Sequence, residues 1–354
     1  MASGEFAMIK GSMSRKVREA VEKYRAGRRR EAVLQLMYLL SDEEERVRLE
    51  AIDALGEIGD ADAAVELSRL VDDRNSEVRV RVAHALGKIG SISVMSSLEK
   101  LLNDGEGDVR FAALKSIIKI SGGSHFDALI KALGDEDERV RTAAMEALVK
   151  GASRYSDRLV GLLRSDDWKV RAGAARVLGE ICEGKARDEL IRLLDDWDWR
   201  VRKEAVEALG KIGGEEVIPY LSRMLQEKDA EVRVSVVRAL ASTGSPRVRE
   251  ILEGALRDED AKVRLWAASA LGNMGSEEAE KTLIEALSDE DKQVKLTALK
   301  ALARAGGVKA VKAIDPLRLH PDEDVRKEAE RAIKMIALKH NMTVEEILRK
   351  AKGA

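Results

Sequence analysis

Valine recurs along the chain at an almost constant interval. Val47 and Val78 lie 31 residues apart, and this interval holds through Val325 except for one step of 30 between Val140 and Val170. With each valine numbered zero, position +4 is Ala or Val and position +8 is Leu or Ile in all ten units. Apolar residues at 0, +4, +7, +8 and +11 share one face of a helix with 3.6 residues per turn, so each unit contains an amphipathic helix, named helix B.

Polar residues mark the ends of helix B. A carboxylate at position −3 can accept hydrogen bonds from the first free backbone N–H groups, and glycine at +12 in several units favours a helix end. A second apolar pattern, such as AAVELSRLV at 63–71, lies upstream and predicts a helix A. A period of this length predicts stacked two-helix units. The N-cap candidates are Asp137, Asp198, Asp229, Asp260 and Asp291.

A second spacing links an aspartate to an arginine six residues later in six units. The pairs are Asp42–Arg48, Asp73–Arg79, Asp104–Arg110, Asp135–Arg141, Asp196–Arg202 and Asp258–Arg264; Ser165, Glu227, Lys295 and His320 depart from the pattern. Pro219 lies inside a predicted helix A, and Pro246 lies at a predicted helix start. Together with the aspartate–arginine spacing, these features resemble the HEAT repeat. Specifically, they resemble the short HEAT-like repeat of the phycobilin-lyase type, which is found in archaeal and bacterial proteins. The resemblance covers 17–340.

The resemblance implies an all-α fold of the α-α superhelix class: a HEAT-like solenoid of ten two-helix repeats with capping helices. We expect residues 1–12 to be a vector-derived leader, because they show no helical pattern and precede a second Met. Residues 13–354 are expected to form one array. Its predicted parts are an N-terminal cap and first helix A at 13–40, repeats at 41–340 and a C-terminal capping helix at 341–354.

Composition narrows the class of protein. The net charge is −2 with 36% charged residues, so no strong global field attracts nucleic acid or an anionic membrane. The single cysteine excludes a disulfide framework and favours a reducing, cytoplasmic location. No apolar stretch is long enough for a membrane span. The scarcity of Asn and Gln beside abundant charge favours a thermophilic source.

Candidate catalytic and cofactor chemistry is sparse. No two of His84, His125, His320 and His340 share a helix at metal-ligand spacing, which disfavours a zinc site. The stretch GEICEGKA at 179–186 imitates a phosphate loop but ends in Ala, and no strand precedes it. Cys182 is interpreted as a small residue at a helix end. We therefore predict no catalytic residue, cofactor or metal.

The outward positions of helix B are +6 and +10, and the HEAT resemblance implies that they line a concave face. Ten basic residues stand against five acidic ones at these positions. A solvated surface and a groove for an acidic protein segment both explain this excess. The arginines at +1 are interpreted as structural residues that form a ladder of hydrogen bonds with the aspartates along the repeats, rather than as a binding site for anions. The basic residues predicted to contact a partner are Lys115, Lys119, Arg176, Lys211 and Arg238.

Four tryptophans stand out in a chain with 3% aromatic residues. Trp168 and Trp199 occupy position −2 of adjacent units, Trp197 lies in the same turn as Trp199, and Trp266 lies at +3, on the edge of the outward face. We expect Trp168 to lie within about 10 Å of Trp199, and Trp197 to be the most exposed. Mutual packing and a partner site both remain open for this cluster.

The sequence favours a non-enzymatic scaffold or adaptor that binds another protein, through an acidic segment of that partner. A chromophore-lyase-like or other enzyme-associated subunit is the alternative suggested by the family resemblance. A nucleic-acid-binding array is third, because no row combines a strong basic patch with interleaved aromatic residues. The sequence leaves the oligomeric state open and predicts no membrane contact.

Overall fold

Helices make up all regular secondary structure in residues 13–275 and 279–353, the part of the chain that the computed structural model describes. The all-α prediction is therefore confirmed for those residues, and the predicted leader at 1–12 lies outside them. The helices are α1 (Arg15–Arg25), α2 (Arg29–Leu39), α3 (Glu45–Ile58), α4 (Ala61–Ser68), α5 (Ser76–Ile89), α6 (Met95–Leu101), α7 (Gly107–Ser121), α8 (Phe126–Leu133), α9 (Glu138–Lys150), α10 (Ala152–Leu162), α11 (Trp168–Glu180), α12 (Arg187–Leu193), α13 (Trp199–Ile212), α14 (Ile218–Arg223), α15 (Ala230–Ser242), α16 (Arg249–Ala255), α17 (Ala261–Met274), α18 (Glu280–Glu285), α19 (Lys292–Ala305), α20 (Val308–Ile314), α21 (Glu323–Lys339) and α22 (Val344–Gly353).

The predicted alternation of helices A and B is confirmed. Helices α3, α5 and each odd-numbered helix to α21 are the B helices, and each begins at position −2. The even-numbered helices from α2 to α20 are the A helices. Short 3-10 turns flank or extend several A helices: Arg69–Asp72, Ile92–Val94, Gly184–Ala186, Glu215–Val217, Met224–Gln226, Pro246–Val248, Ala286–Ser288 and Asp315–Leu319.

The chain divides into two compact units, Met1–Val177 and Leu178–Ala354. In the first unit, α1 packs on α2 and α3, and the B helices α3, α5, α7 and α9 contact one another in succession. In the second unit, the B helices from α13 to α21 also contact one another in succession, and α22 packs on α20 and α21. Neighbouring repeats therefore supply the contacts within each unit. One array over 13–354 stays a prediction.

The core consists of the positions that recur in the sequence. The residues at 0, +4 and +8 of all ten B helices are buried. Burying a leucine or valine side chain contributes about 1.5–3 kcal/mol relative to leaving it exposed, so each repeat adds its own increment of stability. The periodic apolar pattern is therefore the main determinant of the fold.

The helix ends follow the predicted capping residues. The side chains of the five predicted aspartates accept from the backbone N–H two residues later: Asp137, Asp198, Asp229, Asp260 and Asp291. Glycine at +12 ends α3, α5 and α17 in the left-handed conformation. Cys182 occupies the same position with φ 51°, so the chain here adopts this conformation without glycine. Its thiol Sγ lies 3.6 Å from the carbonyl oxygen of Lys211.

Glycine at +9 allows adjacent B helices to approach closely. A Cβ atom added to Gly272 would lie 2.5 Å from Cβ of Ala301 on the next B helix, and one added to Gly210 would lie 2.6 Å from Cβ of Ala239. Gly56 meets Ala85 in the same way, at position +7 of the next repeat. Where +9 is glycine, this residue and the small residue at +7 of the next repeat thus form the contact between the two repeats.

We expect Gly272→Ala to lower the free energy of unfolding by about 1–3 kcal/mol, because the added methyl group overpacks the contact with Ala301. Gly254→Ala is the matched control. It lies in α16, where an added Cβ meets nothing within 4 Å, and it should stabilise the helix by about 0.5–1 kcal/mol. Urea unfolding of both variants measures the difference; equal stabilisation by both would contradict close packing at +9.

An arginine ladder connects the turns of successive repeats. Nη1 of Arg233 donates to the carbonyl oxygen of Glu227, six residues earlier, at 2.7 Å. Its Nε and Nη2 donate to both carboxylate oxygens of Asp258, 25 residues later, at 2.8 and 2.9 Å. Each such arginine therefore links its own turn to the next one. The other links of this kind are Arg79–Asp104, Arg110–Asp135, Arg202–Glu227 and Arg264–Asp289.

The ladder corrects one expectation from the sequence. Asp104, six residues before Arg110, contributes its backbone carbonyl to that arginine, and its carboxylate accepts from Arg79 of the preceding repeat. Glu227, which departs from the aspartate pattern, still accepts from Arg202. Burial alone would raise the pKa of Asp289, but the hydrogen bonds from Arg264 and from the backbone N–H of Asp291, together with the charges of Arg264 and Lys295, outweigh it and hold the pKa below its ordinary value.

Candidate functional site

The side chains at +6 and +10 of the B helices form the candidate surface, named the B-helix face. None of them is buried, which confirms the helical-wheel prediction. Sixteen are exposed and four, Asp53, Glu57, Glu207 and Ser269, are half-buried. The full set is Asp53, Glu57, His84, Lys88, Lys115, Lys119, Glu146, Lys150, Arg176, Glu180, Glu207, Lys211, Arg238, Ser242, Ser269, Asn273, Lys300, Arg304, Arg331 and Met335.

Several acidic side chains on this face are neutralised by the adjacent B helix. Glu57 forms an ion pair with Lys88. Glu180 forms one with Lys211, with Nζ and Oε1 2.7 Å apart, so Lys211, a predicted partner contact, is already engaged. Partial burial, aided by the charge of Lys88, lowers the pKa of His84, and its imidazole is therefore neutral at pH 7.

Cations remain in excess once these pairs are counted. In the first unit Lys115, Lys119, Lys150 and Arg176 are exposed, and none has an ion pair with another described residue. Glu146 is the acidic residue among them. In the second unit the exposed cations without an ion pair among the described residues are Arg238, Lys300 and Arg304. The structure thus presents an unpaired cationic surface on the B helices of each unit.

An aromatic side chain interrupts this surface in the second unit. Trp266 is 40% exposed, and the guanidinium carbon of Arg238 lies 5.1 Å from the centroid of its ring. This distance allows a cation–π interaction, which orients the arginine without neutralising its charge. A partner could therefore contact both the indole ring and the guanidinium group.

The other three tryptophans lie at the N-terminal ends of B helices. Trp168 and Trp199 are the first residues of α11 and α13, rather than members of the preceding turn as the sequence suggested. Trp197 is 73% exposed and Trp199 is 38% exposed, whereas Trp168 is mostly covered. Trp197 is therefore the most exposed tryptophan, as predicted. The proximity of Trp168 to Trp199 stays a prediction.

A family model of HEAT repeats matches residues 7–87, 33–118, 95–160, 156–241, 215–265 and 248–334. The chain belongs to the HEAT-repeat family. No curated protein sequence matches it. An engineered protein of known crystal structure is 27% identical and covers 86% of this chain and 98% of its own, with a TM-score of 0.44.

The HEAT-repeat fold is also that of karyopherins. Kap121p, solved bound to the extreme C-terminus of the protein phosphatase Cdc14p, is 15% identical over 87% of this chain, with a TM-score of 0.65. Kap95p, solved with RanGDP, is 14% identical over 95% of this chain, with a TM-score of 0.66. This HEAT-repeat chain spans 42% and 56% of those two proteins.

Neither a metal-binding cluster nor a membrane-spanning helix is found in the described part of these HEAT repeats. No group of three or more His, Cys, Asp or Glu side chains among those residues could hold a metal ion. Gly179, in the stretch that imitates a phosphate loop, lies in α11, and a Cβ added there would meet Ala208 at 2.6 Å from its Cα. That glycine therefore serves helix packing. No helix in the described ranges is long and apolar enough to cross a membrane.

We expect Trp197→Ala to leave the stability of the HEAT repeats within about 0.5 kcal/mol of the wild type, as for other exposed positions. It should also remove the largest share of the tryptophan emission that acrylamide quenches. Trp168→Ala is the control, and it should destabilise the protein more because the Trp168 side chain is mostly covered. Emission that acrylamide cannot quench in the wild type would contradict an exposed indole at Trp197.

Proposed function

We propose that the chain is a non-enzymatic scaffold or adaptor that binds another protein through its B-helix face and the tryptophans at the N-terminal ends of its B helices. The observation that carries this proposal is the excess of exposed cations without ion pairs on that face. Repeats that bury small recurrent cores and leave a long row of side chains exposed provide surface rather than a catalytic pocket. Kap121p, which has the same fold, is an example in complex with a protein segment.

The proposed partner presents an acidic segment. In the first unit Lys115, Lys119 and Arg176 would attract it, and in the second Arg238 would do so beside Trp266. Trp197 and Trp199 would add apolar contact, because tryptophan buries a large area and is enriched among residues that dominate binding energy. Lys211 would contribute less than predicted, since Glu180 already neutralises it.

Other parts of the proposal rest on composition. One cysteine in 354 residues supports a cytoplasmic location. Abundant charge with few amides supports a thermophilic source. The phycobilin-lyase type of repeat and an archaeal or bacterial origin stay predictions from the sequence resemblance.

Affinity capture from cytosol of the source cells tests this function. The bait variants are Lys115→Glu/Lys119→Glu/Arg238→Glu on the B-helix face and Arg30→Glu/Lys131→Glu/Lys312→Glu on the A helices, where the side chains are also exposed. A protein partner should be lost with the first bait and retained with the second. Its association rate should fall with rising salt, because the proposed attraction is electrostatic.

The alternatives predict different results. A nucleic-acid-binding array would bind heparin and single-stranded DNA at about 0.15 M salt with a steep salt dependence. An enzyme-associated subunit would carry a covalent chromophore, for example at Cys182, or a metal bound by its own side chains. Either result, or equal loss of the partner with both triple variants, would contradict the proposed function.

A further inference from the structure

A groove between the last two B helices, α19 and α21, differs from the rest of the B-helix face. It is an open cavity of ≈ 450 Å³ in the second unit, and we name it the terminal groove. Its volume is sufficient for a bulky side chain and part of the chain that carries it. The residues that matter are Lys300, Arg304, Arg331, Met335, Leu338 and Lys339.

Two apolar side chains are exposed in the terminal groove. Met335 is 47% exposed and Leu338 is 60% exposed. Position +10, which Met335 occupies, holds a polar residue in each of the other nine repeats. Leu338, at +13, is still helical because α21 has 17 residues and continues beyond the position at which the other B helices end. The groove therefore offers apolar contact area that the neighbouring repeats lack.

Cations surround these apolar side chains. The lining contains Lys300, Arg304, Arg331 and Lys339 against one acid, Glu328, which leaves a net charge of 4 − 1 = +3. Glu328 lies 3.8 Å from Arg331. Arg304 donates to the amide oxygen of Asn273 and Lys339 to the carbonyl oxygen of Arg304. Lys300 has no polar partner among the described residues. Three cations therefore lack a carboxylate partner there.

We propose that the terminal groove binds an acidic segment of another protein in which one bulky apolar residue is flanked by Asp or Glu. The apolar side chain packs on Met335 and Leu338, and the flanking carboxylates pair with Lys300, Arg304 and Lys339. The unpaired cations favour an acidic partner. The exposed Met335 and Leu338 side chains favour a segment that also contains an apolar residue. This inference rests on the proposed function, because it assigns one contact of the same partner.

Fluorescence anisotropy with the full chain tests the groove directly. The probe is a labelled peptide of sequence Gly-Asp-Glu-Asp-Leu-Glu-Asp-Glu-Gly, and its control replaces Leu with Ser. Binding to the leucine peptide should be at least about tenfold tighter, since a buried leucine contributes a free energy of that size. Met335→Ser/Leu338→Ser should remove this preference, and Lys300→Glu/Arg304→Glu should abolish binding to both peptides.

Matched variants outside the groove provide the controls. Leu319→Ser removes a leucine that is 88% exposed, and Lys312→Glu reverses an exposed cation on α20; both should bind like the wild type. Circular dichroism should show unchanged helix content in all variants. Equal affinity for the serine peptide, oligoglutamate or an oligonucleotide would overturn the inference. Absence of binding at millimolar peptide would overturn it as well. If the B-helix face still captured a protein in that case, the proposed function would stand although the inference about the terminal groove would not.

Discussion

Arg233→Met should lower the free energy of unfolding by about 3–5 kcal/mol, the cost of removing one partner from a buried ion pair. The side chains of Arg233 and Asp258 are 5% and 11% exposed. The substitution leaves the Asp258 carboxylate without its cation and the carbonyl oxygen of Glu227 without its donor. Unfolding in urea, followed by circular dichroism, measures the loss.

Two further variants separate the ladder from general effects of losing an arginine. Arg257→Met breaks a pair with Glu285 whose side chains are 67% and 51% exposed, and it should leave the unfolding curve nearly unchanged. Arg233→Met/Asp258→Leu removes both charges and should recover most of the stability. A loss for Arg233→Met no larger than for Arg257→Met would mean that the ladder does not stabilise the fold.

Removal of residues 17–40 should make the protein aggregate, whereas deletion of residues 232–262 should leave it helical and soluble. The first change removes buried Val17, Val21 and Leu36, so that apolar surface on α3 meets water. The second removes one period and brings Val263 to the place of Val232. The link between Arg202 and Glu227 is then kept, and Gly210 meets Ala270 in place of Ala239.

Light scattering and circular dichroism of the two deletions measure this prediction. The shortened array should show monodisperse scattering and slightly less helix than the wild type. The protein without residues 17–40 should scatter strongly at the same concentration. The reverse pattern would contradict a fold built from nearest-neighbour contacts.

The repeats were predictable from the sequence because one physical pattern defines them ten times. The buried valines, the aspartate caps and the small residues at +7 and +9 all follow from helical spacing. The partner of each arginine was not predictable in the same way. Because the period is 31 residues, an aspartate that lies six residues before one ladder arginine also lies 25 residues after the arginine of the preceding repeat. Spacing alone therefore does not tell which of the two arginines its carboxylate contacts.

The candidate surface was predicted in outline only. A helical wheel places Lys88 and Lys211 outward, but whether they reach Glu57 and Glu180 depends on how adjacent helices pack, which the wheel does not contain. The terminal groove was missed because Leu338 lies beyond the usual end of a B helix. An unusually long apolar and basic stretch at the end of α21 was the signal that could have indicated it.

Site-specific photocrosslinking tests the location of the proposed protein contact most directly. A photoreactive residue at Lys119 or Lys300 of the B-helix face should crosslink to a protein in source cytosol, and the acidic segment should be identified in the crosslinked peptide. The same residue at Arg30 or Lys312 on the A helices should give no such product. Crosslinks from the A-helix positions alone, or to nucleic acid from the B-helix positions, would contradict binding of a protein at the B-helix face.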